Sequence, residues 1–260
     1  MNRLTRLPAR WGCAAALMLL TLGSTAARGA IVDLTPSADA FVTSALPDAN
    51  FGGAGAIGAA AVGLPQGEFQ SVLRFTTAAA KSSFDATYGA GQWSIQSAVL
   101  KLTAAPPNNA IFNASAAGTF AARWMQNDAW LEGTGNPAAP GATGITYNTL
   151  PTFVSGSDEA LGSFATTGAT GGAFTYALNL TPGFTADLLA GDPTSLRLLT
   201  ADATLSVLFR SREFGTAANR PVLSLTAVPE PHALGLLLFS ASVALSRRGS
   251  RAPTRRRHAA

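Results

Sequence analysis

The sequence predicts an all-β fold: a jelly-roll-like β-sandwich between an N-terminal signal peptide and a short C-terminal hydrophobic helix. Three observations carry this expectation. Short apolar or alternating runs recur along the middle of the chain, and such runs fit half-buried strands. Turn residues punctuate them, as in Pro47-Asp48, Gly52-Gly53, Pro106-Pro107, Gly171-Gly172 and Gly191-Asp192-Pro193. No long helical period runs through the same stretch.

Taken in order, residues 1–29 read as a secretory signal peptide. Arg3, Arg6 and Arg10 form its basic start, residues 13–22 its apolar segment, and small residues follow at 23–27. Cleavage after Ala27 or after Gly29 meets the small-residue rule equally well. Residues 30–227 form the body. Strands are expected at 40–43, 71–75, 94–102 and 120–124, and again at 174–180, 195–199, 205–210 and 222–226. In the longest run, Ile95, Ser97, Val99 and Lys101 alternate with Ala98, Leu100 and Leu102. One short helix is expected at 181–189, with Thr181 as N-cap and Pro182 at its first position. Residues 52–63 and 160–172 are rich in Ala and Gly and read as surface loops.

Residues 228–260 are a tail of three parts. Val228, Pro229, Glu230 and Pro231 come first, then an apolar run at 233–245, then six arginines between Arg247 and Arg257. Thirteen helical residues span about 20 Å, short of the roughly 30 Å hydrocarbon core of a bilayer. A permanent anchor of this length is marginal. A transient membrane contact, held by arginines on the cytoplasmic side, fits better.

Composition narrows the chemistry. The whole chain carries a formal charge of +4, but its two ends hold most of the arginines. The body has 8 basic against 13 acidic residues, a net charge of −5. It lacks the basic face that nucleic-acid binding needs. The body also contains neither Cys nor His, since Cys13, His232 and His258 all lie in the ends. Disulfides, Ser-His or Cys-His nucleophiles and His/Cys zinc sites are thereby excluded from it.

What remains is oxygen and guanidinium chemistry. Asp39, Asp48 and Asn50 lie around the first turn and could ligate a structural Ca²⁺; Asx-turn bonding is the alternative. Arg74 and Arg212 are charges set in apolar strands, with Glu213 beside the second. Either they form Arg–carboxylate bridges, or with Lys101 they meet an acidic ligand. Trp93 and Tyr147 are candidate sugar-stacking rings, and Trp130 reads as core. Gly53 to Gly58 spells G-x-G-x-x-G, but no strand precedes it and Pro65 interrupts any helix after it. Carboxylates such as Asp128 and Glu132 define no cleft for glycoside hydrolysis, so no catalysis is expected.

Two resemblances follow from these residues. Val228-Pro229-Glu230-Pro231, the apolar run and the arginine cluster resemble the PEP-CTERM sorting signal. That resemblance implies processing by an exosortase during export to the cell surface or extracellular matrix. The body resembles DNRLRE-type domains, a group overlapping carbohydrate-binding module family 96. The matching stretches include Ser37 to Val42, Pro47 to Gly52, Leu73-Arg74-Phe75, Asp128 to Gly133, Ile145 to Pro151 and Phe209 to Glu213. Tyr147 stands where that family usually has Trp, and residues 133–144 form a long Ala/Pro-rich loop. The resemblance implies a β-sandwich that in some relatives binds acidic polysaccharide. A structural or adhesive surface protein with protein partners is the alternative, and a polysaccharide-processing enzyme a third.

Overall fold

A computed structural model describes residues 29–107 and 111–230. The residues before 29, including the signal peptide, and those after 230, including Pro231, the apolar run and the arginines, lie outside the described residues.

The described residues form eleven strands and two α-helices. In chain order these are β1 (Ala30–Leu34), β2 (Ala38–Thr43), β3 (Ala56–Ala60), β4 (Phe69–Thr76), α1 (Ala78–Tyr88), β5 (Trp93–Ala105) and β6 (Gly118–Met125). They continue with β7 (Glu159–Thr166), β8 (Ala173–Leu178), α2 (Pro182–Ala190), β9 (Pro193–Thr200), β10 (Ser206–Arg210) and β11 (Val222–Pro229). Every strand pairing is antiparallel. One layer runs β1-β11-β5-β8. The other contains β2-β4-β9-β6-β7, with β3 and β10 continuing from the Phe69 end of β4. The long β5 joins the layers: residues 93–103 pair with β11 and β8, while Ala104 and Ala105 pair with β10. The sheet therefore curls into the all-β, sandwich-like arrangement that the sequence predicts.

The pleat sorts the side chains. On β4, Leu73 and Phe75 enter the main core, as do Leu100 and Leu102 of β5, Leu196 and Leu198 of β9, and Leu223 and Leu225 of β11. Phe120, Tyr176 and Phe209 meet edge-to-face at its centre. The opposite face of β2 and β4 is not left to water. Ala38, Ala40, Val42 and Val72 form a second apolar cluster with Trp130, Ile145 and Leu150, which belong to the connection between β6 and β7. That connection is a lobe laid over the outer face of the sheet.

Several expectations need correction. Residues 52–63 and 160–172 are not simply loops, because they contain β3 and all of β7 but its first residue. Gly58 in β3 lets the sheet close: a Cβ there would lie 2.9 Å from both the Leu208 side chain and the Val207 carbonyl. The G-x-G-x-x-G stretch thus feeds a strand and opens no helix. β1 and α1 were not expected. In α1, Ala80 and Phe84 are buried one turn apart, but alanine gives a weak periodic signal. Strand β11 extends through Pro229, with Val228 opposite Ser94 and Pro229 opposite Trp93. The tail as read from the sequence therefore begins inside the last strand.

The expected helix is present as α2, closed by Gly191 in the left-handed conformation. Its start differs in one respect. The Thr181 side chain makes no capping bond. The Glu159 carboxylate caps the helix instead, accepting from Gly183 N at 2.9 Å and Phe184 N at 3.2 Å.

Candidate functional site

The lobe between β6 and β7 carries the polar features of interest, and buried polar groups fasten it down. Asn50 is fully buried. Its Nδ2 donates to the carbonyls of Glu132 (2.7 Å) and Ile145 (2.8 Å), and its Oδ1 accepts from Gly52 N and Gly135 N. Gly133, at φ +76°, passes so close that a Cβ would sit 2.2 Å from Asn50 Oδ1. From β4, Arg74 Nη1 donates to the carbonyls of Asp128 (2.8 Å) and Trp130 (2.9 Å). Its guanidinium lies 4.8 Å over the Trp130 ring. Trp130 itself is buried, with Nε1 donating to Ser195 Oγ at 2.9 Å.

Where the lobe meets the turn after β10, three carboxylates and one arginine form a knot. Arg212 clasps Glu132 through two bonds, Nη2 to Oε2 at 2.7 Å and Nε to Oε1 at 3.2 Å. The same Nη2 lies 2.7 Å from Glu213 Oε1. Asp39, only 1 % exposed, accepts from Arg212 N at 2.7 Å, while its own N–H donates to Glu132 Oε1 at 2.7 Å. One carboxylate oxygen each from Asp39, Glu132 and Glu213 falls within 4.8 Å of the others. Burial pushes the Asp39 carboxyl well above the usual range; the Arg212 amide opposes this and the Glu213 charge adds to it. Glu213 is raised too, first by burial, against the pull of Arg212. Burial and the nearness of like charges both work against ionising Asp39 and Glu213 together. Asp39 is too enclosed to meet a substrate, and the knot reads as a latch joining three segments.

A second constellation is open to solvent. A pocket of about 240 Å³ lies between the sheet and the lobe, lined by Gln70, Tyr147, Leu150, Pro151, Val154 and Arg197. Glu68 holds two of its lining side chains, accepting from Tyr147 Oη at 2.5 Å and Gln70 Nε2 at 2.7 Å. The hydrogen bond to Glu68 holds the Tyr147 hydroxyl up at about 12. The register places Arg197 of β9 directly beside Arg123 of β6. Arg123 Nη2 donates to the Asp158 carbonyl at 2.7 Å. Four buried atoms around this face have no hydrogen-bond partner among the described residues: Gln70 Oε1, Arg123 Nε, Asp158 Oδ2 and Arg197 Nε. Burial lowers the Arg197 pKa; Asp158 offsets part of that effect, and Arg123 adds to it.

The structure distributes the expected site residues unevenly. Tyr147 lines the pocket. Trp93 does not face solvent: it is 3 % exposed, packs on Phe84 and donates from Nε1 to Asp85 Oδ1. Arg74 and Arg212 are engaged inside the protein, the first by carbonyls and the second by carboxylates. Lys101 lies in the other layer, with Nζ 3.5 Å from the Ala218 carbonyl. The calcium trio has separate partners. Asp48 accepts from Asn148 Nδ2 on the surface, and Asn50 uses its amide on backbone groups. Only Asp39 joins other carboxylates, and Arg212 already neutralises part of that cluster. Val228 and Pro229 are strand residues, and Glu230 N donates to the Gln92 carbonyl. Arg197 was overlooked, although a charge inside the apolar run 195–199 is the same signal that singled out Arg74.

No family model matches the chain, and no curated protein is significantly similar in sequence.

Proposed function

We propose that this chain is an exported, non-catalytic binding module retained in extracellular polysaccharide. The observation that carries the reading is the Tyr147 pocket. It combines an aromatic ring, an apolar floor at Leu150, Pro151 and Val154, and hydrogen-bonding groups at Gln70 and Arg197. A sugar presents the matching surfaces, CH groups on one face and oxygens at the edge. The basic, apolar and small-residue leader at 1–29 and the tail from Val228 support export, with an exosortase as processing partner and transient membrane contact. The resemblance of the body to DNRLRE-type domains points the same way. Among the described residues no helix is long and apolar enough to cross a membrane, and the run 233–245 lies outside them.

Catalysis is disfavoured by the state of the carboxylates. Glu132 and Glu213 are clamped by Arg212, and Asp39 is enclosed. Titration of the full chain against a panel of neutral and acidic polysaccharides tests the proposal, with reducing ends assayed in parallel. Binding without new reducing ends is expected. Chain cleavage, or no binding to any member, would refute it.

A further inference from the structure

A second cavity, of about 330 Å³, lies where β3, β5 and β10 meet the lobe, and it shares no lining residue with the Tyr147 pocket. Its floor consists of core side chains: Phe41 of β2, Phe69 of β4, Leu208 of β10, and Phe112 from the segment between β5 and β6. Phe41 stacks on Phe51 at 4.5 Å and Phe69 meets Phe112 edge-on at 5.0 Å, so the floor is preformed. One lip is Asn136-Pro137-Ala138 of the lobe. Asn136 and Ala139 exchange backbone hydrogen bonds, and Asn136 Oδ1 accepts from Ala138 N at 2.9 Å, which fixes that lip. The opposite wall carries a single charge. Arg210 shares its face of β10 with Leu208, and its guanidinium lies 4.0 Å over the Phe214 ring. It makes no ion pair and no side-chain hydrogen bond among the described residues, and its nitrogens are open to solvent. The nearest acid along the chain, Glu213, is held by Arg212. The Phe214 ring thus holds the guanidinium in place and leaves its fork of N–H donors without an acceptor.

From an apolar cavity with one unpaired guanidinium on its wall we infer that this site binds a monocarboxylate with a medium-length aliphatic chain, the carboxylate on Arg210 and the chain between the Pro137 lip and the aromatic floor. The inference goes beyond polysaccharide retention and does not depend on it. Charge complementarity selects the head, since a carboxylate supplies the acceptor that the Arg210 fork lacks. The lining selects the tail. Apart from Asn136 and Arg210, every lining side chain is apolar or absent. A sugar ring would bring hydroxyls that find few partners here, and unpaired polar groups are costly to bury. A bare anion would leave the apolar lining unfilled. The body is acidic overall and does not attract an anion at long range, so burial of the chain must supply much of the affinity. The cavity is at the small end of ligand pockets, which suits one acyl chain and not a two-chain lipid.

The test is calorimetric titration of the full chain with octanoate below its micellar concentration, and with hexanoate, acetate and octanol. Melting curves accompany each titration. Octanoate should bind, and affinity should fall about fourfold for each methylene removed. Octanol has the same chain without the charge and should bind about tenfold more weakly or worse. Arg210→Met keeps an apolar stem and drops the fork; it should weaken octanoate about tenfold and leave octanol unchanged. Ala138→Trp, on the exposed lip, should fill the mouth and weaken both about tenfold or more. Octanoate should raise the melting temperature of the unaltered chain more than that of either variant. Neither substitution should alter polysaccharide binding, so failure here leaves the reading of the Tyr147 pocket untouched. Equal binding of octanol and octanoate would give Arg210 no part and overturn the inference. Acetate binding as tight as octanoate binding would show a bare anion site and overturn it as well. Octanoate binding that survives both substitutions would place the ligand elsewhere, and absence of octanoate binding would leave the site without its ligand; either result sinks the inference. Early melting of both variants without ligand would assign Arg210 and the lip to the fold and also overturn it.

Discussion

Asp39 illustrates how one residue changes meaning between sequence and structure. In the sequence it is an oxygen donor near a turn; in the fold it is an enclosed carboxyl against Glu132, Glu213 and the Arg212 amide. Partners at sequence separations of 93 and 173 made this knot invisible to local reading. Trp93 was missed for a different reason: its partner Asp85, only 8 residues away, sits on a helix the sequence did not announce. The bridging alternative for Arg212 was legible from Glu213 beside it, although Arg212 lies in the turn after β10 and not in the apolar strand where the sequence set it, and its second carboxylate, Glu132, was not legible. The pH dependence follows from the directions of the shifts. Asp39 and Glu213 are raised, and Asp128 is pushed up to about 6 by burial. Groups with raised folded values favour the fold below the ordinary carboxylate range, and that contribution is lost as pH rises through the folded values. Asp202, lowered to about 2 by backbone amides, works oppositely and loses its contribution as pH falls toward that value. Chemical denaturation should therefore show a higher midpoint at pH 5 than at pH 8. Asp39→Asn mimics the protonated carboxyl and should shrink that difference by stabilising the protein at pH 8. Asp39→Ala leaves the Arg212 amide unpartnered and should lose about 1–3 kcal/mol at either pH. Arg212→Ala should lower the melting temperature markedly. Its side chain is about a third exposed, so the loss should fall below the ~3–5 kcal/mol of a fully buried pair.

At the scale of elements, strands with bulky alternation were readable and strands of small residues were not. β4, β5 and β9 announce themselves by Leu, Val and Phe, whereas β3 is Ala-Ile-Gly-Ala-Ala and is fixed by its neighbours β4 and β10. Gly58→Val should therefore cost about 1–3 kcal/mol by overpacking Leu208, read as a lower denaturation midpoint. Helix α2 was legible from Thr181 and Pro182, but its cap came from Glu159 of β7, a strand that read mostly as a loop, and not from Thr181. Glu159→Ala should remove a cap worth about 1 kcal/mol, with Thr181→Ala having less effect. The measurement is the urea midpoint of each variant against the unaltered chain. The opposite order would show that Thr181 caps the helix after all.

For the whole molecule, sequence and fold agree on class, and the lobe between β6 and β7 explains why the site was only half legible. Trp130 and Tyr147 stood out in the sequence as large aromatics. Only the lobe's return across the sheet decides that one is buried and the other lines a pocket beside Arg197. The boundary of the body is set by β11, whose last two pairs are Val228 with Ser94 and Pro229 with Trp93. Cutting the chain after 227 should lower its melting temperature relative to a cut after 230, because the shorter product loses both pairs. The central claim is export followed by retention in a polysaccharide matrix. Fractionation of a producing culture, with mass spectrometry of the recovered chain, tests it most directly. The account predicts a chain without leader or tail in the extracellular matrix, released when matrix polysaccharide is enzymatically digested. An intact chain held in the cytoplasm or inner membrane, or an extracellular one that digestion fails to release, would contradict it.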